Sequence, residues 1–473
     1  RPHSDKWLVL IAYIMGLSIG VHLLNLLCIP AIALVYYFRK TEKPTWKGVL
    51  VAILISFGLI LVLMYGIIPG FIKVGGWFEL FFVNKLGMPY NSGVLAYFIL
   101  LLASIIWTIY ETMKVNPYSK RSKIAFMTSL ALSGVLFIGR AAWLWILLIV
   151  IAAYFLFKKD NTNVKLINLA SSCLLVILIG FSAYLLIPIR SSANPPLDLN
   201  SPEDVFSLGS YLNREQYGST PVIHGQTYAS TVKRTADGTA IYNTKKQYDR
   251  IVKTSPDQKD QYIVKDAIDS YEYTNTMLLP RMYSGEDMHF RGYQNWAGVT
   301  DKSAKPTVLQ NLKFLFSYQL NYMYWRYFFW NFSGRQNDIQ GDGGITHGNW
   351  ITGIPFIDNH VLGLGPQNNI APEIADNKGR NIYFMLPFIL GIIGLLYQLN
   401  LKKKGGKSFL IVFTLFFMTG IAIVLYLNQK PFEPRERDYA YAGSFYAFAI
   451  WIGMGVAGVG KFLRKYIKNI RNC

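Results

Sequence analysis

Apolar runs crowd both ends of the chain and leave one long polar stretch between them. The runs fall at about 7–20, 22–38, 49–69, 92–111, 124–138, 141–157, 166–188, 382–400, 408–428 and 441–460. A full membrane crossing as an α-helix takes roughly 20 apolar residues, and several of these runs are shorter. Two neighbouring pairs nearly touch. The stretch 7–38 is interrupted by GLSIGVH and 124–157 by FIGRAAW, each with glycine and a polar residue in mid-run. Such interruptions predict helical hairpins or broken helices rather than one long tilted helix. The pattern as a whole predicts an all-α polytopic membrane protein of about ten apolar segments, with a large mixed α/β loop domain outside the cytoplasm.

The polar stretch sets the domain boundaries. Residues 1–189 form an N-terminal membrane bundle of about seven segments, 190–381 the loop domain, 382–460 three C-terminal transmembrane helices, and 461–473 a basic tail. Within the loop domain, TADGTAIY and DSYEYTNTM carry strand and turn signals around 222–285. The run KFLFSYQLNYMYWRYFFWNF (313–332) is dense in aromatic residues that share no single helical face. It fits an aromatic helix lying at the membrane interface or one buried inside the loop domain.

Charge adds orientation. The 473 residues are 52% hydrophobic and carry a net charge of +20, concentrated in short clusters after apolar runs. Lys and Arg at 39–47, 114–123, 158–165, 402–407 and 461–471 fall on one side if both hairpins are real, and the short opposite loops hold only Lys73, Lys85, Arg140, Arg190, Lys430, Arg435 and Arg437, which places both ends of the chain in the cytoplasm and 190–381 outside. Basic residues in that arrangement speak against nucleic acid as a partner. Three cysteines, two of them in apolar runs, build neither a disulfide framework nor a zinc site. With no initiator Met and no signal peptide, the chain reads as part of a longer protein.

Candidate chemistry gathers at the outer helix ends. Ser18, His22 and Asn25 are spaced three and four residues apart within an apolar run, so one helical face holds all three; they either line a site or bridge helices. Arg140 sits where a guanidinium meets lipid phosphates, and snorkelling accounts for it equally well; Arg190 marks the membrane interface after the seventh segment. Arg214 and Glu215 lie together in YLNREQYGSTP, and Arg335, Asn337, Asp338 and Asp342 lie in the polar loop WNFSGRQNDIQGDGG. A divalent cation on that last loop is conceivable, although the spacing matches no calcium loop, and no metal site is assigned. In KPFEPRERDYAYAGSF (430–445), an extended backbone puts Arg435 and Arg437 on one side and Glu436 and Asp438 on the other: either a cationic pair for a lipid phosphate, braced by the acids behind it, or a self-neutralising loop at the headgroup boundary. There is no nucleotide-phosphate loop, HExxH motif or nucleophile elbow, so any chemistry belongs on the outer face, on a substrate delivered through lipid.

GLSIGVHLLNLLCIP, IPIRSSANPPLDLN, YLNREQYGSTP, YWRYFFWNFSGRQNDIQG and PFEPRERDYAYAGSFYAFAIW together resemble a bacterial multispanning family formerly of unknown function. That family is related to the eukaryotic protein O-mannosyltransferases and grouped with the C-class glycosyltransferase (GT-C) fold. The resemblance runs from about Trp7 to about Gly460. It implies a transferase of the bacterial cytoplasmic membrane that moves a sugar from a polyprenyl-phosphate donor to an extracytoplasmic acceptor, a protein hydroxyl, on the periplasmic side. It also implies a preceding membrane region whose first outer loop carries a W-D-x-G-E motif with the catalytic carboxylate. That motif is absent here, so the catalytic carboxylate is expected outside this chain, with Asp338 and Glu215 as the weak candidates within it. Expected partners are the lipid-linked donor, the protein acceptor, membrane lipids, and the absent N-terminal region or other envelope proteins. The competing readings are a non-catalytic membrane scaffold of an envelope or secretion complex and a lipid-linked glycan transporter, which calls for inverted repeats that this sequence does not display.

Overall fold

The structure is a computed structural model that describes residues 5–114, 119–139, 141–158, 163–218, 220–251, 253–255, 257–341, 343–367 and 370–471. It is mostly helical with little sheet. Each apolar run becomes helix, yet among the described residues six helices are both long and apolar enough to cross a membrane: Leu23–Lys40, Trp46–Lys85, Ser92–Thr112, Val164–Ser191, Gly405–Leu427 and Asp438–Arg464. Ala142–Lys158 and Leu386–Leu399 are apolar but shorter. The run expected at 124–138 is α-helical over Lys120–Leu132 and then forms a 3-10 turn, Val135–Phe137. Thirteen residues rise about 20 Å, short of a hydrocarbon core of about 30 Å. Both expected interruptions occur. The first helix ends at Val21 and gives way to a 3-10 turn, Leu23–Cys28. The second break holds Gly139 at φ +71°, a left-handed conformation that glycine adopts without strain. The run at 49–69 differs more. Its helix continues to Lys85, so Lys73 is helical rather than in a loop. Forty residues rise about 60 Å, twice the hydrocarbon thickness, and a large part of this helix must lie beyond it.

The chain divides into two compact units. The first takes residues 1–26, 54–219 and 242–270. Its core is Val74, Tyr97, Leu101, Ile105 and Leu178. Helices Asp5–Val21 and Val164–Phe181 approach through Gly16 and Gly180; a Cβ on Gly16 would stand 2.6 Å from the Ile177 carbonyl oxygen. Small residues let backbones touch in this way, where lipid supplies no hydrophobic drive for helix association. Glu79 is fully buried, and its carboxylate accepts the backbone N–H groups of Asn91, Gly93 and Val94. It thereby satisfies orphan donors at the start of the 92–112 helix. The same carboxylate accepts the Tyr262 hydroxyl at 3.1 Å, which ties in the hairpin Tyr242–Arg250/Tyr262–Tyr271. Arg250 holds that hairpin to Asp204 at 2.9 Å and Glu203 at 2.7 Å.

The second unit takes residues 27–53, 220–241 and 271–473. Its centre is the aromatic helix, continuous over 308–332 and buried at Tyr318, Tyr322, Tyr324, Tyr327, Phe328, Trp330 and Phe332. Leu315–Trp325 winds as π-helix. That wider turn shifts the buried face along the helix, which is why the aromatics share no face at a 3.6-residue period. Phe328 packs edge-on to Phe416 and Phe448, which places this face against other helices. Helices Leu386–Leu399 and Ala442–Arg471 cross at Gly394 and Gly455, where a side chain would strike the Trp451 and Leu390 carbonyls. Two short antiparallel pairings complete the unit: His224–Gly225 on Met277–Leu278, and Gly334–Arg335 on Asn381–Ile382.

Candidate functional site

In the first unit, the α-helix ends at Val21, and the His22 N–H still donates to the Ser18 carbonyl at 2.9 Å. His22 Nδ1 accepts the Leu24 N–H at 3.2 Å, and Asn25 Nδ2 donates to the Ser18 carbonyl at 3.2 Å. Both side chains thus shape the break itself. His22 is exposed and lies within electrostatic reach of Arg214, which adopts φ +53° just beyond the Val205–Leu212 helix. Tyr184 donates to the Ile19 carbonyl at 2.8 Å and feels both Tyr211 and Arg214. Tyr211 in turn lines an open groove of about 420 Å³ with Arg190, Leu186, Ile187, Leu197 and Leu199. Ser191 bonds Asp198 at 2.7 Å in the groove wall. Arg190 is exposed and has no ion pair among the described residues, and Leu197 is 94% exposed. A free guanidinium beside uncovered leucines at the end of a membrane-length helix is a fitting place for an anionic headgroup with an apolar tail. Glu215 is held by Lys245 at 2.5 Å, which ties up its charge. Arg140 lies outside the described residues.

In the second unit, Arg335, Asn337, Asp338 and the 430–441 loop come together around Trp330. The Arg335 guanidinium lies 3.9 Å from the Trp330 ring centre and its Nε donates to the Asn337 carbonyl at 3.0 Å. Burial pulls its pKa down against the nearby carboxylates Asp338, Asp438 and Glu436. Asn337 is fully buried, with its amide spent on Ile339, Gly348 and Thr346, so it staples the loop and offers nothing to a ligand. Asp338 is exposed and receives the Asn377 amide at 2.7 Å; Asp342 lies outside the described residues.

The expected bracing of the loop exists, but inward. Glu436 accepts both terminal nitrogens of Arg326, at 3.2 and 2.8 Å, and the Tyr327 hydroxyl. Arg326 is only 3% exposed and lies over Tyr322, Tyr327 and Trp330. Burial works against its charge, and Glu436 with the surrounding tyrosines more than offsets this, so its pKa is raised. Of the two arginines expected to act as a pair, Arg437 is engaged by Glu433 at 2.6 Å, with its Nε buried and without a hydrogen bond. Arg435 is exposed beside Tyr439 and free of ion pairs among the described residues. Sequence reasoning missed Arg326, although a lone charge inside YMYWRYFFW signals a buried ion pair. No cluster of three His, Cys, Asp or Glu side chains with metal-site geometry occurs among the described residues.

Two segments match known families. Residues 1–45 match the family described as Protein O-mannosyl-transferase TMEM260 N-terminal domain. Residues 218–316 match a family of unknown function, DUF8416. No curated protein and no solved structure matches the chain. The first match supports a relation to O-mannosyltransferases over the segment that holds His22 and Asn25.

Proposed function

We propose that this chain is part of a multi-pass membrane glycosyltransferase. In this reading it takes a sugar from a polyprenyl-phosphate donor and passes it to a hydroxyl of a protein on the extracytoplasmic side. The observation that carries the reading is the match of residues 1–45 to the O-mannosyl-transferase N-terminal domain, on a chain with six membrane-length apolar helices among its described residues. The groove at Arg190 gives the donor a place. Its guanidinium takes the phosphate through paired hydrogen bonds and its leucine walls take the first isoprene units. Arg214, beside His22, adds positive charge near the same helix end.

The acceptor hydroxyl oxygen attacks the anomeric carbon, the bond from that carbon to the phosphate oxygen breaks, and the lipid phosphate leaves with the electron pair. The acceptor proton goes to a base. Arginines on the phosphate favour this step because they stabilise charge that grows as the bond breaks. Glu215 is held by Lys245 and Asp338 receives the Asn377 amide, so neither is assigned as the base. Residence in a bacterial cytoplasmic membrane, with 190–381 facing the periplasm, belongs to the same proposal, as does a GT-C architecture. Arg435 is the exposed cation on the 430–441 loop and a second candidate for the donor.

Reconstituted protein supplied with a radiolabelled polyprenyl-phosphate mannose tests the proposal. The reconstituted chain should retain the labelled donor, and the Arg190→Gln variant should retain less of it. Equal retention by membranes with and without the chain would overturn the proposal.

A further inference from the structure

A second cavity, of about 70 Å³, lies in the other unit, between the turn 351–359 and the strand that leads into helix Leu386–Leu399. Its polar lining is Asp358, Asn359, Gln367 and Arg380, and its apolar lining includes Ile351 and Pro355. The turn is rigid. Asp358 is 1% exposed and accepts the Thr352 N–H at 2.7 Å, the Thr352 hydroxyl at 2.8 Å and the Gly353 N–H at 2.9 Å. Asp358 and Asn359 sit on a π turn, Ile357–Val361, a backbone form that recurs at functional sites.

Two observations point to a ligand. The Asn359 Oδ1 atom is buried and accepts no hydrogen bond among the described residues. A buried acceptor left unpaired costs about 1–3 kcal/mol, so something should donate to it. Arg380 spends one terminal nitrogen on the Gln336 carbonyl, at 3.2 Å, and has no carboxylate partner among the described residues. The cavity therefore offers an acceptor and a donor fork within a wall of proline and isoleucine. Its volume admits several water-sized groups, since one water needs roughly 10–15 Å³ on this measure. Outside it stand exposed Phe356, Val361 and Phe384, and exposed Leu386 opens the apolar helix four residues after Ile382 of the lining.

We propose that this cavity binds a single sugar ring, with ring hydroxyls donating to Asn359 Oδ1 and accepting from Arg380, and the C–H face set on Ile351 and Pro355. The choice of a sugar over another polyol rests on the transferase reading; the existence of a hydroxyl-binding cavity does not. The sugar comes either as the headgroup of a membrane lipid, seated by the apolar rim, or as a free or protein-linked residue from solution.

Binding to the purified full chain in phosphatidylcholine nanodiscs separates these sources and is independent of turnover. The probes are methyl mannoside in solution and dodecyl mannoside in the bilayer. Asn359→Leu and Arg380→Met should each weaken binding roughly ten- to a hundredfold, the scale of one lost hydrogen bond to a buried group. Asp358 is left intact because it holds the turn. A lipid-borne headgroup is supported if only the dodecyl probe binds, and a soluble sugar if both bind alike. Unchanged affinity in both variants, or no binding of either probe to the wild type, overturns the proposal. Retention of polyprenyl-phosphate mannose measured on the same samples keeps the two readings apart: normal donor retention with no binding at this cavity sinks the cavity alone.

Discussion

Replacing Glu436 by Gln should unlock the 430–441 loop. Glu436 receives two charge-assisted bonds from Arg326 and one from Tyr327. Glutamine keeps the shape and one acceptor, but turns an NH2 group toward a guanidinium that is 3% exposed. Removing one partner of a buried ion pair costs about 3–5 kcal/mol. Arg326 retains its bonds to the Tyr322 and Gly348 carbonyls, at 3.0 and 2.9 Å, and its aromatic contacts, while the Glu436 side chain is 19% exposed. The expected loss is therefore at or below the bottom of that range, about 2–3 kcal/mol. Arg435→Gln, on an exposed side chain of the same loop, should change stability by less than about 0.5 kcal/mol. Denaturant unfolding in micelles reads the stability, and hydrogen exchange across 430–441 reads the loop. The double variant Arg326→Met/Glu436→Gln should be milder than the sum of the singles by more than about 1 kcal/mol, as contacting residues require. A Glu436→Gln protein as stable and as protected as wild type would show that the ion pair does not lock the loop.

Three further outcomes follow. Gly394→Ala should part the helices that cross at Trp451 and lower stability by about 1–3 kcal/mol; loss of the 2.8 Å bond from Trp451 to Gln398, seen as a shift in tryptophan emission, locates the damage. His289 is buried, and desolvation, helped by Lys430 and opposed by Glu286, lowers its pKa. A lowered folded-state pKa means that its contribution is complete above the unfolded value of about 6.5 and lost as pH falls through the folded value. Stability should therefore drop on acidification below about pH 6.5, and His289→Gln should flatten that part of the profile; an unchanged profile contradicts the assignment. Tyr262→Phe removes a hydroxyl from the buried Glu79 carboxylate and should cost about 1–2 kcal/mol, with hydrogen exchange rising in the 242–271 hairpin before the helices.

Apolar runs were legible because membrane helices must satisfy their own backbone and so leave long, uniform signals. Both interruptions were visible for the same reason: glycine and a polar residue stand out in mid-run, where an unbroken membrane helix would carry apolar side chains. The length of the 46–85 helix was not, since Lys73 suggested a loop; its ammonium instead donates to the Phe137 and Gly139 carbonyls from within the helix. The aromatic helix hid its buried face because π turns break the period that sequence reading relies on. At the sites, charge alone could not separate exposed arginines from committed ones. Arg435 and Arg437 look alike in sequence, and only folding gives Arg437 a partner in Glu433. Asn337 shows the opposite error: a polar residue in a polar loop that proves to be an internal staple.

If Arg190 and its leucine groove hold a polyprenyl phosphate, a diazirine-bearing polyprenyl-phosphate mannose should crosslink there on the reconstituted chain, with the adducts mapped by mass spectrometry. Adducts are expected within 186–199, competed by unlabelled lipid and reduced roughly tenfold or more in Arg190→Gln, as for the loss of a charge-assisted contact. Adducts confined to other segments, or labelling of 186–199 that Arg190→Gln leaves unchanged, would rule the groove out as the donor site.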